Sequence, residues 1–171
     1  MKRKSKTKVK TDRPTPPIRK EIRGLVFLFM AIILGGSLLS YHSGDKLFWN
    51  VTGSLGNSQN LFGTVGAHLA GGTFFLLGFS SFWLVVILIV MSFLSFKGCP
   101  LSSPIETTIA ALALLVSFSG ILNLQFLEVV SFRSGNIIAG GLLGIYLAGL
   151  TEGYLNHFGA YVLLFTIFII S

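Results

Sequence analysis

Few side chains in this sequence could do chemistry, and none stands in a catalytic or ligating pattern. The three histidines, His42, His68 and His157, are far apart, and His157 follows Glu152 by five residues, not the four that put two ligands on one helix face. The single cysteine, Cys99, excludes an internal disulfide framework and any zinc site of several thiolates, and reads as an inert residue. No Gly-x-x-x-x-Gly-Lys-Ser/Thr string occurs to cradle a nucleotide phosphate. Beyond the first 23 residues the acids are Asp45, Glu106, Glu128 and Glu152, at a helix start or in loops and interfacial segments. Ion-coupled transport places acids inside spans, so their positions weigh against it. The expectation is no catalytic residue, no metal ligand, no nucleotide site and no cofactor in these 171 residues. Small residues are better organised. Gly66 with Ala70, Ala67 with Gly71, and Gly140, Gly144 and Ala148 recur at intervals of four, the spacing of a flat helix stripe that lets another helix approach closely in lipid. The stripe reads as packing within the domain or between subunits; the plainer account is that glycine is common in membrane helices.

The elements that would carry these residues are apolar helices. Hydrophobic residues make up 52% and charged residues 11% of the chain, and the mean hydropathy is +0.78, which excludes an ordinary water-soluble enzyme. Ten of the thirteen Lys and Arg residues lie in the first 23 positions against two acids, leaving three bases and four acids in the remaining 148. Residues 1–23, with Pro14, Pro16 and Pro17 and almost nothing apolar, read as a disordered tail. Its charge suits a topology signal and anionic headgroups; without interleaved aromatic residues to stack on bases it is a poor nucleic-acid binder.

Residues 24–41 are uncharged and would make about 27 Å of helix, a first span. A secretory signal is the other reading of a basic stretch before an apolar one, but no Ala-x-Ala site follows. Residues 42–60 have loop composition and contain the weak glycosylation sequon Asn50-Val51-Thr52. The uncharged run 61–96 would be about 54 Å long as one helix and must be divided. A small-residue helix at the outer interface and a second span at about 73–96 are expected. Lys97-Gly98-Cys99-Pro100 ends that span, and Ser103, Pro104 and Glu106 supply the cap, first-turn proline and capping partner that start a third, 105–122. The apolar run 137–150 reaches only about 21 Å, which suits an interfacial or re-entrant helix. A polar break at 151–157 precedes a fourth span, 158–171, expected to be cut short in a fragment of a longer protein. The basic tail places the N-terminus in the cytoplasm, and four spans then place the C-terminus there too. The fold class is therefore all-α: a polytopic membrane protein with four transmembrane helices, short interfacial helices and an N-in/C-in topology.

The basic tail, the first span, the string Asn60-Leu61-Phe62-Gly63-Thr64-Val65-Gly66-Ala67-His68-Leu69-Ala70, the bulky second span, Gly140-Gly141-Leu142-Leu143-Gly144 and the last span with Phe158-Gly159-Ala160 together resemble the N-terminal four-helix membrane domain of the FtsK/SpoIIIE DNA translocases. The resemblance implies a domain that anchors a hexameric, ATP-driven DNA pump in the bacterial inner membrane at the division septum, with membrane lipids and cell-division proteins as partners. ATP, Mg and DNA would be bound only by a motor beyond Ser171. Asn60, Gly63, Gly66 and Ala67, with Gly140, Gly141 and Gly144, are the candidate helix-packing residues. A small transporter or channel subunit with re-entrant glycine-rich helices is the alternative, and a membrane-embedded enzyme is disfavoured by the lack of clustered reactive groups.

Overall fold

A computed structural model describes residues 17–45, 47, 58–98, 103–126, 129–132 and 135–171. Five helices and one small hairpin follow in order: α1 (Pro17–Leu39), α2 (Gly63–Leu77), a single tight turn (Gly78–Ser80), α3 (Ser81–Lys97), α4 (Pro104–Gln125), β1 (Val129–Phe132), β2 (Gly135–Ile138) and α5 (Gly141–Ile170). Four helical stretches, Lys20–Leu39, Gly63–Lys97, Pro104–Gln125 and Gly141–Ile170, are long and apolar enough to cross a membrane. The chain is an all-α, multi-pass membrane protein.

The burial pattern has the sense of a membrane protein. α3 buries Ser81, Ser92 and Ser95 while Val86, Ile89, Val90 and Phe93 are 44–57% exposed, the reverse of what water selects. In hydrocarbon large apolar side chains gain nothing by turning inward, so small residues line the helix contacts. α1 and α3 run antiparallel at such a contact. Ser92 Oγ donates to the Gly24 carbonyl at 2.8 Å, Arg23 Nε donates to Ser95 Oγ at 3.2 Å, and a Cβ on Gly35 would lie 3.2 Å from Val85 Cγ1. α4 starts as Ser103, Pro104 and Glu106 predict: Pro104 opens the helix and the Ser103 side chain accepts the Glu106 N–H.

The long apolar run from α2 into α3 is broken at Gly78, not near residue 72. Gly66 sits beside Ser37, and the following α3 also begins level with the last turns of α1, since Val85 faces Gly35. Both ends of α2 are thus at one level, and α2 lies across the end of α1 rather than continuing α3. An aromatic core forms there, with Phe74 5.1 Å from Tyr41, 5.9 Å from Phe82 and 5.9 Å from Phe132 between ring centroids.

α5 looks like one long helix by hydrogen bonding, but Asn156 has φ 58° and ψ 170°. Ala148, Ala160 and Leu164 pack in one cluster with Leu124, whereas a straight helix would hold Ala148 and Leu164 about 24 Å apart. The chain therefore folds back at Asn156 into two helices, 141–155 and 157–170, of which the second descends along α4. The 30-residue stretch is not a single crossing.

Several expected boundaries are corrected. Residues 17–23 of the expected disordered tail are helical, because Lys20 and Arg23 reach the end of α3; residues 1–16 lie outside the described ones. The first span ends at Leu39 rather than 41, and the third covers Pro104–Gln125 rather than 105–122. In place of a helix from 137, residues 129–132 and 135–138 pair as an antiparallel hairpin, in which Val130, Ile137 and Ile138 suit a pleated strand.

Candidate functional site

Two junctions gather the candidate residues, and each is built from backbone approaching backbone. The first ties the end of α1 to the start of α2. Asn60 is 4% exposed; its Nδ2 donates to the Ser37 carbonyl at 2.8 Å and its Oδ1 accepts the Phe62 N–H at 3.0 Å. Ser37 lies in the last turn of α1, whose carbonyls have no partner within the helix, so Asn60 acts as a tertiary C-terminal cap. Asp45, 5% exposed, fixes the strand leading to Asn60. Its carboxylate accepts Ser58 Oγ at 2.9 Å, Gln59 N at 2.7 Å and Asn60 N at 3.1 Å. Burial, and then the Asp45 charge, push the Tyr41 hydroxyl pKa above its ordinary value.

Gly66 faces this knot. A Cβ there would overlap Asn60 Oδ1 and lie 2.6 Å from Phe62 Cβ. Ala67 is 1% exposed, beside the equally buried Ala70. Gly63 is different: nothing lies within 4 Å, but its φ is 61°, so it is present for conformation rather than space. Gly63→Val should cost about 1–2 kcal/mol, whereas Gly63→Asn, which tolerates positive φ, should be close to neutral; unfolding of both in mixed micelles checks this.

The second junction joins the α2–α3 turn, the end of β2, the start of α5 and the middle of α4. Gly78, with φ 57° and ψ −139°, turns the chain so that Phe79 N–H donates to the Ala139 carbonyl at 2.9 Å. A Cβ on Gly140 or Gly144 would run into the Ser119 carbonyl oxygen, and one on Gly141 into the backbone of Gly78 and Leu76. Ser119, fully buried, closes the junction by donating from Oγ to the Gly140 carbonyl.

The seven candidates thus divide into four at the first junction and three at the second. Asp45, Ser37, Gly78 and Ser119 complete them and were missed. Their signals in the sequence are slight: an isolated glycine in an apolar run, single serines in apolar helices, and a lone acid in a loop. Among the described residues no three His, Cys, Asp or Glu side chains converge where a metal could be held. His157 Nδ1 pairs with Glu152 Oε1 across the Asn156 turn, where it clips the fold-back. The junctions can position helices; they present no nucleophile, acid pair or ligand set.

The 4TM region of the DNA translocase FtsK/SpoIIIE matches residues 18–171. The chain belongs to the FtsK/SpoIIIE family. No curated protein and no solved structure matches it. Both junctions lie within the matched region, and in this FtsK/SpoIIIE membrane region most of the small-residue stripe is consumed internally. Gly66 and Gly71 meet Asn60 and Leu47, and Gly140 and Gly144 meet α4.

Proposed function

We propose that this domain anchors a septal DNA translocase in the bacterial inner membrane and helps assemble it into a hexamer, coupling chromosome segregation to cell division. The observation that carries the reading is the family match across residues 18–171. The basic end of the bundle, with Lys20, Arg23 and Lys97, faces the cytoplasm by the positive-inside rule. A linker and a RecA-like motor follow Ser171 on that side. ATP, Mg and DNA are handled by that motor: the 171 residues contain no phosphate-binding loop. Cell-division proteins at the septum and membrane lipids are the partners of the membrane part.

Expression of the tagged domain in dividing bacteria tests the reading. A band at midcell is expected; even distribution around the envelope, with ion or solute flux from purified protein in liposomes, would transfer support to a transporter or channel. A reporter fused after Ser171 should be active in the cytoplasm.

For assembly, the candidate face is one that the fold leaves open. Gly149 and Gly153, four residues apart on α5, have nothing within 4 Å, the spacing that permits close helix contact in lipid. Gly153→Leu is expected to abolish cross-linking between copies while leaving the helical circular dichroism unchanged.

A further inference from the structure

Three cations gather at one end of the antiparallel pair α1 and α3. Lys20 Nζ stands 3.2 Å from where a Cβ on Gly98 would be, and Gly98 is the residue that caps α3. Arg23, one turn further along α1, donates from Nε to Ser95 Oγ at 3.2 Å. Lys97 precedes Gly98 and rests its Nζ 4.4 Å over the Phe93 ring. Among the described residues the one ion pair joins His157 to Glu152 on α5, so none of the three cations has a carboxylate within 4 Å. Glu21, exposed on α1, leaves the group at +2, three bases against one acid; Glu106 lies on α4 beside Ile109 and Ile167. Apolar surface begins at the same level. Ile22 and Leu25 on α1 and Phe93 and Phe96 on α3 are 49–61% exposed, and Phe96 Cζ lies 3.0 Å from where a Cβ on Gly24 would be. The cations therefore sit where the helix surface turns from polar to hydrocarbon-facing, the level of the lipid headgroups.

We infer that this end of the α1 and α3 pair binds the phosphate of an anionic phospholipid at Lys20, Arg23 and Lys97, with the lipid chains along Phe93 and Phe96. Charge and position both select this occupant. Cations collected without an acid repel one another, and an anion among them removes that cost. Arg23 uses only its Nε on Ser95 among the described residues, so its terminal nitrogens remain for a phosphate, which a guanidinium fits well. The exposed apolar residues within a turn of the cations decide the source. A soluble phosphate gains nothing from them, whereas a phospholipid brings hydrocarbon to them. The uncompensated charge favours an anionic lipid over a zwitterionic one by about fivefold per cation. The inference deepens the lipid partnership proposed above and does not depend on which face of the membrane is cytoplasmic.

Hydrogen exchange at the amides of residues 21–26 in α1 reads the site, since these are the first amides bonded within the helix. The chain is placed in phosphatidylcholine nanodiscs with or without phosphatidylglycerol. Phosphatidylglycerol is expected to slow this exchange about fivefold, the effect of one cation at an anionic surface. Lys20→Gln and Lys97→Gln should each remove most of that slowing, measured as the ratio between the two lipids for each variant. Lys4→Gln combined with Lys6→Gln, which removes two charges from the tail, should leave the ratio unchanged. If Lys20→Gln loses its helical circular dichroism, Lys97→Gln decides alone. Equal exchange in the two lipids would overturn the proposal. So would a loss in the tail variant as large as that in Lys20→Gln, which would mean diffuse attraction rather than a site. Inorganic phosphate added to phosphatidylcholine nanodiscs should change nothing; slowing by phosphate alone would make the ligand a soluble anion and overturn the lipid.

Discussion

Gly140→Leu is expected to cost the domain about 4 kcal/mol or more, enough to keep α5 from closing on α4. Gly140 has φ −93° and ψ 0°, which any residue can adopt, so the penalty is purely one of space. A Cβ would collide with the Ser119 carbonyl oxygen and lie 2.9 Å from Asn123 Cβ. The first of these is backbone inside a helix and cannot rotate away, so the helices must separate. Separation breaks the bond from Ser119 Oγ to the Gly140 carbonyl and strands a buried hydroxyl, itself a loss of about 1–3 kcal/mol. Overpacking adds typically 1–3 kcal/mol and more when backbone must move. Equilibrium unfolding in mixed micelles measures the sum. Gly149→Ala in detergent-dispersed single copies is the control: with nothing of its own chain within 4 Å in a helix interior, it should stabilise by about 0.5–1 kcal/mol. Wild-type stability in Gly140→Leu would remove the close-approach account.

Asn60→Ala should cost about 1–3 kcal/mol, because it removes the 2.8 Å donor of the buried Ser37 carbonyl, which keeps only the long 3.5 Å bond from Ser40 Oγ, and the acceptor of the half-buried Phe62 N–H. Each unsatisfied buried group costs about 1–3 kcal/mol. Asn60→Asp separates the two roles: it keeps an acceptor for Phe62 and removes the donor to Ser37. It also sets a second carboxylate beside Asp45, whose oxygen accepts the Asn60 N–H. At neutral pH Asn60→Asp should be at least as damaging as Asn60→Ala, and it should recover stability as pH falls and the new carboxyl protonates. A flat pH response would show that the two side chains are not held together. Both variants should loosen α2 first, so faster hydrogen exchange confined to 58–77 is the accompanying signature.

The helical class and the basic N-terminal end follow from the sequence because they depend on sums over contiguous residues: runs long enough to cross hydrocarbon, and ten cations in the first 23 positions. The start of α4 was equally legible, since Ser103, Pro104 and Glu106 cap it within four residues. Asn60, Gly63 and Gly66 stood out as a short string. Their different duties did not: Asn60 caps α1, Gly63 turns the chain, and Gly66 makes room for Asn60 and Phe62.

Composition alone required the run 61–96 to be divided, but put the break near the small residues at 72. Tertiary structure placed it at Gly78, where the Ala139 carbonyl comes in from a hairpin 60 residues away and leaves no space for a side chain. The hairpin at 129–138 was hidden because four-residue strands carry too little periodicity to distinguish them from a short apolar helix. The break at 151–157 was legible from its polar residues, and the structure puts the turn at Asn156; that the chain reverses there shows only when Ala148 and Leu164 meet on Leu124. The sequence by itself determined which segments prefer lipid and which end is basic, since both are local sums of transfer free energy and charge. Only the tertiary structure decided where the helices turn and which glycines are spent inside the domain, because those depend on backbone from distant segments arriving at the same place.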